Sequence, residues 1–527
     1  MVEFQMLMVL FLSSLLLYLL FVVFKFLHKA WWAPIWMQRF MVSQGIKGPS
    51  YKFLHGNTKE ILSLRQESGS KPMGLSHNIF PRLQPHFHLW TKLYGGNFLF
   101  WNGTKAQLFT TDLDLIKDVL NNKNGAYTKT ESKGFLRSLV GEGLVMAEGD
   151  KWVKLRKLSN RAFHGESLKN MVPAMIASVE TMLEKWKEYE YEDKEVEVLE
   201  EFRVLTSEVI SRTAFGSSYL EGKHMFDMLT ELSLIADRNA LMIRFPGVSK
   251  IMRTSDDIEA EKLEKGMRDS VLELVKQREE KVAKGEVNDF GSDFLGFLVK
   301  ANHEESGGNK VISAQELVDE CKTFYLAGHE TTRNLLAWTV LLLAIHDDWQ
   351  AKARKEVLEI FGQQVPNSDG IARLKTMTMI INESLRLYPP ASLVIRKVRR
   401  KVQVGKLVLP TNIELSIPIL ALHHDPNIWG PDVDLFNPER FSEGVAKATK
   451  NNTTAFIPFG FGPRTCVGLN FATTEAKITL CMILQRYSFT LSPAYIHSPT
   501  TLITTRPKHG VQSYENGDPM PSRMEHI

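Results

Sequence analysis

The chain has 527 residues, 44% hydrophobic and 24% charged, a composition able to bury a large core. Its 64 Lys and Arg against 60 Asp and Glu leave a formal charge of +4, with no basic tail or dense cationic block, so nothing supports nucleic acid as a partner. Three cysteines, Cys321, Cys466 and Cys481, are too few and too scattered for a disulfide framework and point to a reducing compartment.

From Phe4 to Phe24 no residue is charged, and Leu, Val, Phe and Met dominate. At about 1.5 Å rise per residue the stretch spans about 31 Å, enough to cross the hydrocarbon core of a bilayer. A cleaved secretory signal is the alternative. The apolar run is too long for one, and bulky Phe26, Trp31 and Trp32 stand where small cleavage residues belong. Lys25, His28, Lys29 and Arg39 lie on the downstream side, which places the rest of the chain in the cytosol. The acceptor patterns Asn102-Gly-Thr and Asn451-Asn-Thr would then stay unglycosylated.

The remaining chain divides into a linker with aromatic and basic residues (25–51), one domain (52–513) without repeat or internal boundary, and a tail (514–527). Trp152 and Arg156 stand four apart on a predicted helix, with Lys151, Lys154, Lys157 and Arg161 around them. The stretch from Ala240 to Gly247 is apolar enough to touch a membrane. Ala260 to Lys284 has helical periodicity and many charges, as a solvated surface helix does. After the break at Ser306-Gly-Gly, Ser313 and Glu316 form a capping box that opens a helix reaching about Ile345. Helices are predicted over Asp347–Ile360 and Ile371–Leu387, the latter ended by Pro389-Pro390, and over Leu469–Gln485. Short β pieces, Val402-Gln-Val and Leu407-Val-Leu, lie between. The fold class is mainly α with minor β.

The strongest local signal is Phe459-Gly-Phe-Gly-Pro-Arg-Thr-Cys-Val-Gly468. Its glycines allow a sharp turn and close approach to a flat ligand. Cys466 stands just before a helix, where free N–H groups and the dipole favour a thiolate. A buried structural Cys is the plainer alternative. A phosphate-cradling loop is not, because Thr465 stands where a third Gly would be needed. Ala327-Gly-His-Glu-Thr-Thr332 falls mid-helix, where it signals either a local distortion or close helix packing. Arg333 occupies the place of the second His of a zinc peptidase and rules that chemistry out. His423-His424-Asp425 is read as a loop, since adjacent side chains diverge and cannot easily share one ion.

Phe459, Gly462, Arg464, Cys466 and Gly468 together resemble the haem-binding signature of the cytochrome P-450 family. Glu383-x-x-Arg386, completed by Arg440 in Phe436-Asn-Pro-Glu-Arg, resembles its buried ionic network, which implies a role in folding. The resemblance implies a single haem domain behind one transmembrane helix. It implies Cys466 as the sulfur ligand to the iron of haem b (iron protoporphyrin IX), a ligand that favours O–O cleavage. Trp152, Arg156, Arg396 and Arg464 are implied as partners of the haem propionates. Glu330 and Thr331 are implied as the acid and alcohol that relay protons in the oxygen groove.

Gln44-Gly-Ile-Lys-Gly-Pro49 is similar to microsomal plant members that oxidise terpenoids and hormones. That implies an enzyme of the endoplasmic reticulum membrane with its catalytic domain in the cytosol. It would oxidise a lipophilic small molecule with electrons from NADPH, delivered by an acidic flavoprotein reductase. No flavin or nicotinamide fingerprint occurs in the chain itself. Pocket walls are expected from Tyr127–Val145, the helix before Gly328, and Ala391–Ile395. A fatty-acid hydroxylase and a reductase-independent isomerase or dehydratase of hydroperoxides are the competing activities. The Glu330-Thr331 pair argues against the second.

Overall fold

The computed structural model describes residues 2–122, 124–131, 134–191, 194–240, 253–306 and 309–517. The expected membrane-touching stretch lies, apart from Ala240, outside these residues.

One helix dominates. Ala314–Ile345 runs unbroken through the middle of the main apolar core. It starts as its sequence dictates: the Ser313 hydroxyl accepts from the Glu316 N–H at 3.2 Å, and the Glu316 carboxylate accepts from the Ser313 N–H at 2.8 Å. Helices Val198–Phe215, Lys375–Leu387 and Leu469–Arg486 pack around it. To one side lies a mixed five-stranded sheet in the order Asn97–Asn102, Lys105–Thr110, Glu414–Ile417, Val394–Val398, Tyr127–Thr128. Only the second and third of these strands run parallel. A second apolar core sits between this sheet and its neighbours. Val402–Val404 and Leu407–Leu409 form the expected hairpin.

The segment predicted as one helix over Ile371–Leu387 is two, Ser368–Arg373 and Lys375–Leu387, divided at Leu374 with ψ 94°. The cause is tertiary. The Glu356 carboxylate, from the helix Asp347–Phe361, accepts from the N–H groups of Lys375, Thr376 and Met377 at 2.8, 2.7 and 2.9 Å and so caps a new N-terminus.

The apolar helix Val2–Leu27 continues through a π turn, His28–Trp32, into Ala33–Ser43. Much of the stretch read as linker is therefore helical, and it is docked. Met41 is fully buried with Leu99, Trp101 and Leu415. The Gln44 amide donates to the Val408 carbonyl at 3.0 Å and accepts from the Val408 N–H at 2.7 Å. The Tyr51 hydroxyl donates to the Ala30 carbonyl at 2.5 Å. The outer part has a mean hydropathy of 2.8 and no buried residues, as a membrane span requires.

Glu383 and Arg386 are both fully buried and paired through two bonds of 2.7 Å. Arg440 brings its Nε to 3.5 Å from Glu383, and the Asn437 N–H donates to the same carboxylate at 3.0 Å. Removing one member strands a buried charge, so Arg386→Leu is expected to cost about 3–5 kcal/mol by chemical denaturation; a loss within error of zero would contradict this assignment. Burial pushes His77 and His423 down to about 3 and His329 to about 4. The unfolded chain therefore binds more protons at these three histidines below pH 6.5, outnumbering the buried carboxyls Glu320 and Glu475 that act in the opposite sense, and stability should fall from pH 6.5 towards 4 in equilibrium unfolding. A flat profile across that window would refute it.

Candidate active site

The cysteine loop leaves the second core at Ile457 and turns on Gly460 and Gly462, at φ +75° and +73°. A Cβ on Gly462 would stand 2.7 Å from the Leu120 carbonyl oxygen, so only glycine fits. The Cys466 N–H donates back to the Phe459 carbonyl at 2.8 Å and closes the loop just before the helix Leu469–Arg486. Burial pushes the Cys466 thiol up, opposed by the Gly468 N–H and the Arg156 guanidinium. A cation held against the sulfur would favour the thiolate further.

The sulfur opens into a cavity of roughly 360 Å³ lying between the cysteine loop and the long helix. Phe324, Ala327, Gly328, Thr331 and Thr332 line one wall, and Pro458 to Gly460 with Arg464 to Gly468 line the other. Leu144, Val145, Ala391 and Val394 contribute from the expected wall segments. Gly328 serves close packing: a Cβ there would meet Ile210 at 2.7 Å, and the helix stays continuous.

Glu330 and Thr331 face different surroundings. Thr331 lines the cavity, its hydroxyl donating to the Ala327 carbonyl at 2.8 Å. Glu330 lies beside it in a buried polar nest, accepting from Arg333 at 2.8 Å and from the Thr504 hydroxyl at 2.9 Å. Burial pushes the Glu330 carboxyl up, but Arg333 and His329 outweigh it and hold the group below its usual range. Arg333, whose surroundings could not be read from sequence, is buried as the counter-ion. Thr504 comes from the C-terminal hairpin, 174 residues away, and no sequence signal announces it.

The cations gather at one edge. Arg464 lies 4.5 Å over the Trp152 ring, donates to the Ala147 carbonyl at 2.7 Å and pairs with Glu148 at 2.9 Å. Arg156 donates to the Thr465 carbonyl at 2.6 Å. Burial and then Arg464 push Arg396 down to about 10. Lys129, which sequence reading passed over, lines the cavity; burial, then Arg396 and Arg464, push it down to about 7. Glu148 opposes the push on both Lys129 and Arg396 but is a single carboxylate against these cations and Arg464, so the positive charge is under-compensated. A flat apolar cavity with a thiol on one wall and surplus cations at its rim fits an iron porphyrin carrying two carboxylates.

On the outer face of the helix Gly149–Phe163, Lys157 and Arg161 border a surface groove with Trp152 and Arg156. Lys151 and Lys154 lie 3.8 and 3.5 Å from Glu316. His423 accepts from the Ile457 N–H and His424 bonds to the Leu387 carbonyl, so both are structural. Among the described residues no group of three His, Cys, Asp or Glu could hold a metal ion.

Residues 76–511 match the family model described as cytochrome P450. The chain is 58% identical over 503 residues to "Cytochrome P450 CYP749A22" of Panax ginseng, covering 95% of each chain. It is 44% identical to the "11-oxo-beta-amyrin 30-oxidase" of Glycyrrhiza uralensis, covering 92% of this chain and 93% of that one. It is 42% identical to "Cytochrome P450 734A1" of Arabidopsis thaliana, covering 93% of each. The chain belongs to the cytochrome P450 family and is a haem-thiolate monooxygenase.

Proposed function

We propose that this enzyme hydroxylates a lipophilic, terpenoid or plant-hormone-like molecule, using dioxygen and electrons passed from NADPH by an acidic flavoprotein reductase. The observation that carries the reading is the Cys466 sulfur opening into a mostly apolar cavity beneath the helix that carries Thr331. The substrate class is supported by the 11-oxo-beta-amyrin oxidase among its relatives.

Cys466 would hold the iron of haem b through its sulfur, and the haem would supply the redox chemistry at oxygen when bound. Trp152, Arg156, Arg396, Arg464 and Lys129 would hold its two carboxylates, which would relieve the repulsion among the four cations. Thr331 presents a hydroxyl to the cavity, and Glu330, an ion-paired carboxylate held behind it by Arg333 and Thr504, completes the acid–alcohol pair by taking up a proton and handing it on to the hydroxyl. The apolar walls from Phe324, Leu144 and Val394 exclude water and take up the substrate's hydrocarbon surface. Lys157 and Arg161, beside the groove on the sulfur side, form the docking surface for the reductase. Residues 4–24 anchor the protein in the endoplasmic reticulum membrane, and 25–51, helical over much of their length, join them to a cytosolic haem domain that begins at 52. The strand Gln512–Gly517, paired with Tyr487–Leu491, carries the domain past the boundary expected between 513 and a tail over 514–527.

Cys466→Ala should abolish the reduced carbon-monoxide spectrum of a thiolate-ligated haem; an unaltered spectrum would end the reading. Lys129→Met should speed haem loss to an acceptor protein by about ten- to a hundredfold, the worth of one charge-assisted bond, whereas an unchanged rate would remove Lys129 from the rim. Thr331→Ala should raise NADPH consumption per product by about tenfold, and unchanged coupling would refute the relay. Product analysis of reductase-supplemented membranes, fed terpenoid, steroid and fatty-acid panels, identifies the substrate. Turnover of fatty acids alone, or of hydroperoxides without reductase, would favour the two competing activities.

A further inference from the structure

The long helix carries two acids, Asp319 and Glu320, one turn before the cavity begins at Thr323. They face a glycine pair, Gly141 and Gly143, in the segment that follows the helix Phe135–Val140. A Cβ on Gly141 would lie 2.6 Å from the Asp319 carboxylate, and one on Gly143 would lie 2.6 Å from the Thr323 hydroxyl and 2.7 Å from Glu320. The two backbones approach more closely than any other residue type would permit.

Two side chains tie the segment down. The Thr323 hydroxyl donates to the Val140 carbonyl at 2.8 Å, and Glu320 Oε1 accepts from the Leu144 N–H. Glu320 is fully buried, and its Oε2 has no partner among the described residues. Burial pushes its carboxyl up to about 8, so at neutral pH it is mostly the uncharged acid. A neutral buried acid that gives one oxygen to a backbone N–H is a poor contributor to stability. The segment it holds ends in Leu144 and Val145, and both line the cavity.

We propose that Glu320 is a positioning residue: by clamping residues 140–145 against the long helix through the glycine pair, it sets the place of the Leu144–Val145 wall and thereby the size of ligand the cavity accepts. The proposal rests on the monooxygenase reading of the cavity. Leu144 and Val145 belong to the lining of the cavity, which a bulky ligand filling it would press against more than a small one. Glu320→Gln keeps an acceptor oxygen and the neutral charge, whereas Glu320→Leu keeps the volume and loses the acceptor.

The test uses the full-length, haem-loaded protein with imidazole and clotrimazole as small and bulky haem-binding probes. Hydrogen exchange supplies a readout independent of the haem. Glu320→Leu is expected to speed exchange at the Leu144 amide by about tenfold or more, with Glu320→Gln close to the parent. It is also expected to change the ratio of the clotrimazole and imidazole Kd values by about fivefold or more, while imidazole alone shifts within about twofold. If Glu320→Leu fails to take up haem, Gly143→Ala, which forces the two backbones apart, serves the same measurements. Faster exchange with an unchanged ratio would make the clamp merely structural and overturn the proposal, as would both Kd values moving together or a Gln variant that behaves like Leu. A parent chain that lacks the thiolate carbon-monoxide spectrum would instead overturn the monooxygenase reading.

Discussion

The cysteine loop hangs from a buried ion pair. Arg386, held on both sides by Glu383, donates from its remaining nitrogen to the His423 carbonyl at 2.9 Å. The His423 ring in turn accepts from the Ile457 N–H at 3.2 Å, at the point where the chain enters the loop that ends in Cys466. Two bonds therefore separate the pair from the backbone that aims the sulfur. A buried pair of this kind adds little net stability over apolar residues of the same volume, while losing half of it is costly. Its worth here lies in a fixed geometry: the loop cannot settle elsewhere without uncovering a charge.

A slot beside that loop must be kept open inside an interior that otherwise packs like a crystal. Both walls are rigid for reasons unconnected with the ligand. The long helix is buried along most of its length and locked to the helix Val198–Phe215 by the contact of Gly328 with Ile210. The opposite wall is a loop whose glycines leave it one path. The rim is less comfortable. Lys129, Arg396 and Arg464 repel one another and are partly desolvated, so the protein holds positive charge that a dianionic ligand would relieve. Loading and folding are thereby linked.

The apolar N-terminal helix joins this body through a docked helix. With Met41 buried in the sheet-side core and Gln44 bonded in both directions to Val408, the helix that follows the apolar span is part of the domain surface. The direction of the apolar span relative to the domain is set by packing, where a free linker would leave it open.

Much could be read from the residues alone. The length and apolarity of Phe4–Phe24, the Ser313–Glu316 capping box, the helices over 314–345, 347–361 and 469–486, and the glycine-rich cysteine loop all act through neighbours close along the chain, so their patterns are local and legible. Family resemblance added which distant motifs belong together. What only the tertiary structure decided depends on partners far apart in sequence. Glu356 divides a predicted helix, because its carboxylate reaches the N–H groups of Lys375 to Met377 from another element. Lys129 joins the cationic rim, Thr504 reaches Glu330, and Glu320 holds Leu144 only once the chain has folded them together. Periodicity and spacing report which face of an element is buried; they carry no information about which remote group will stand opposite it.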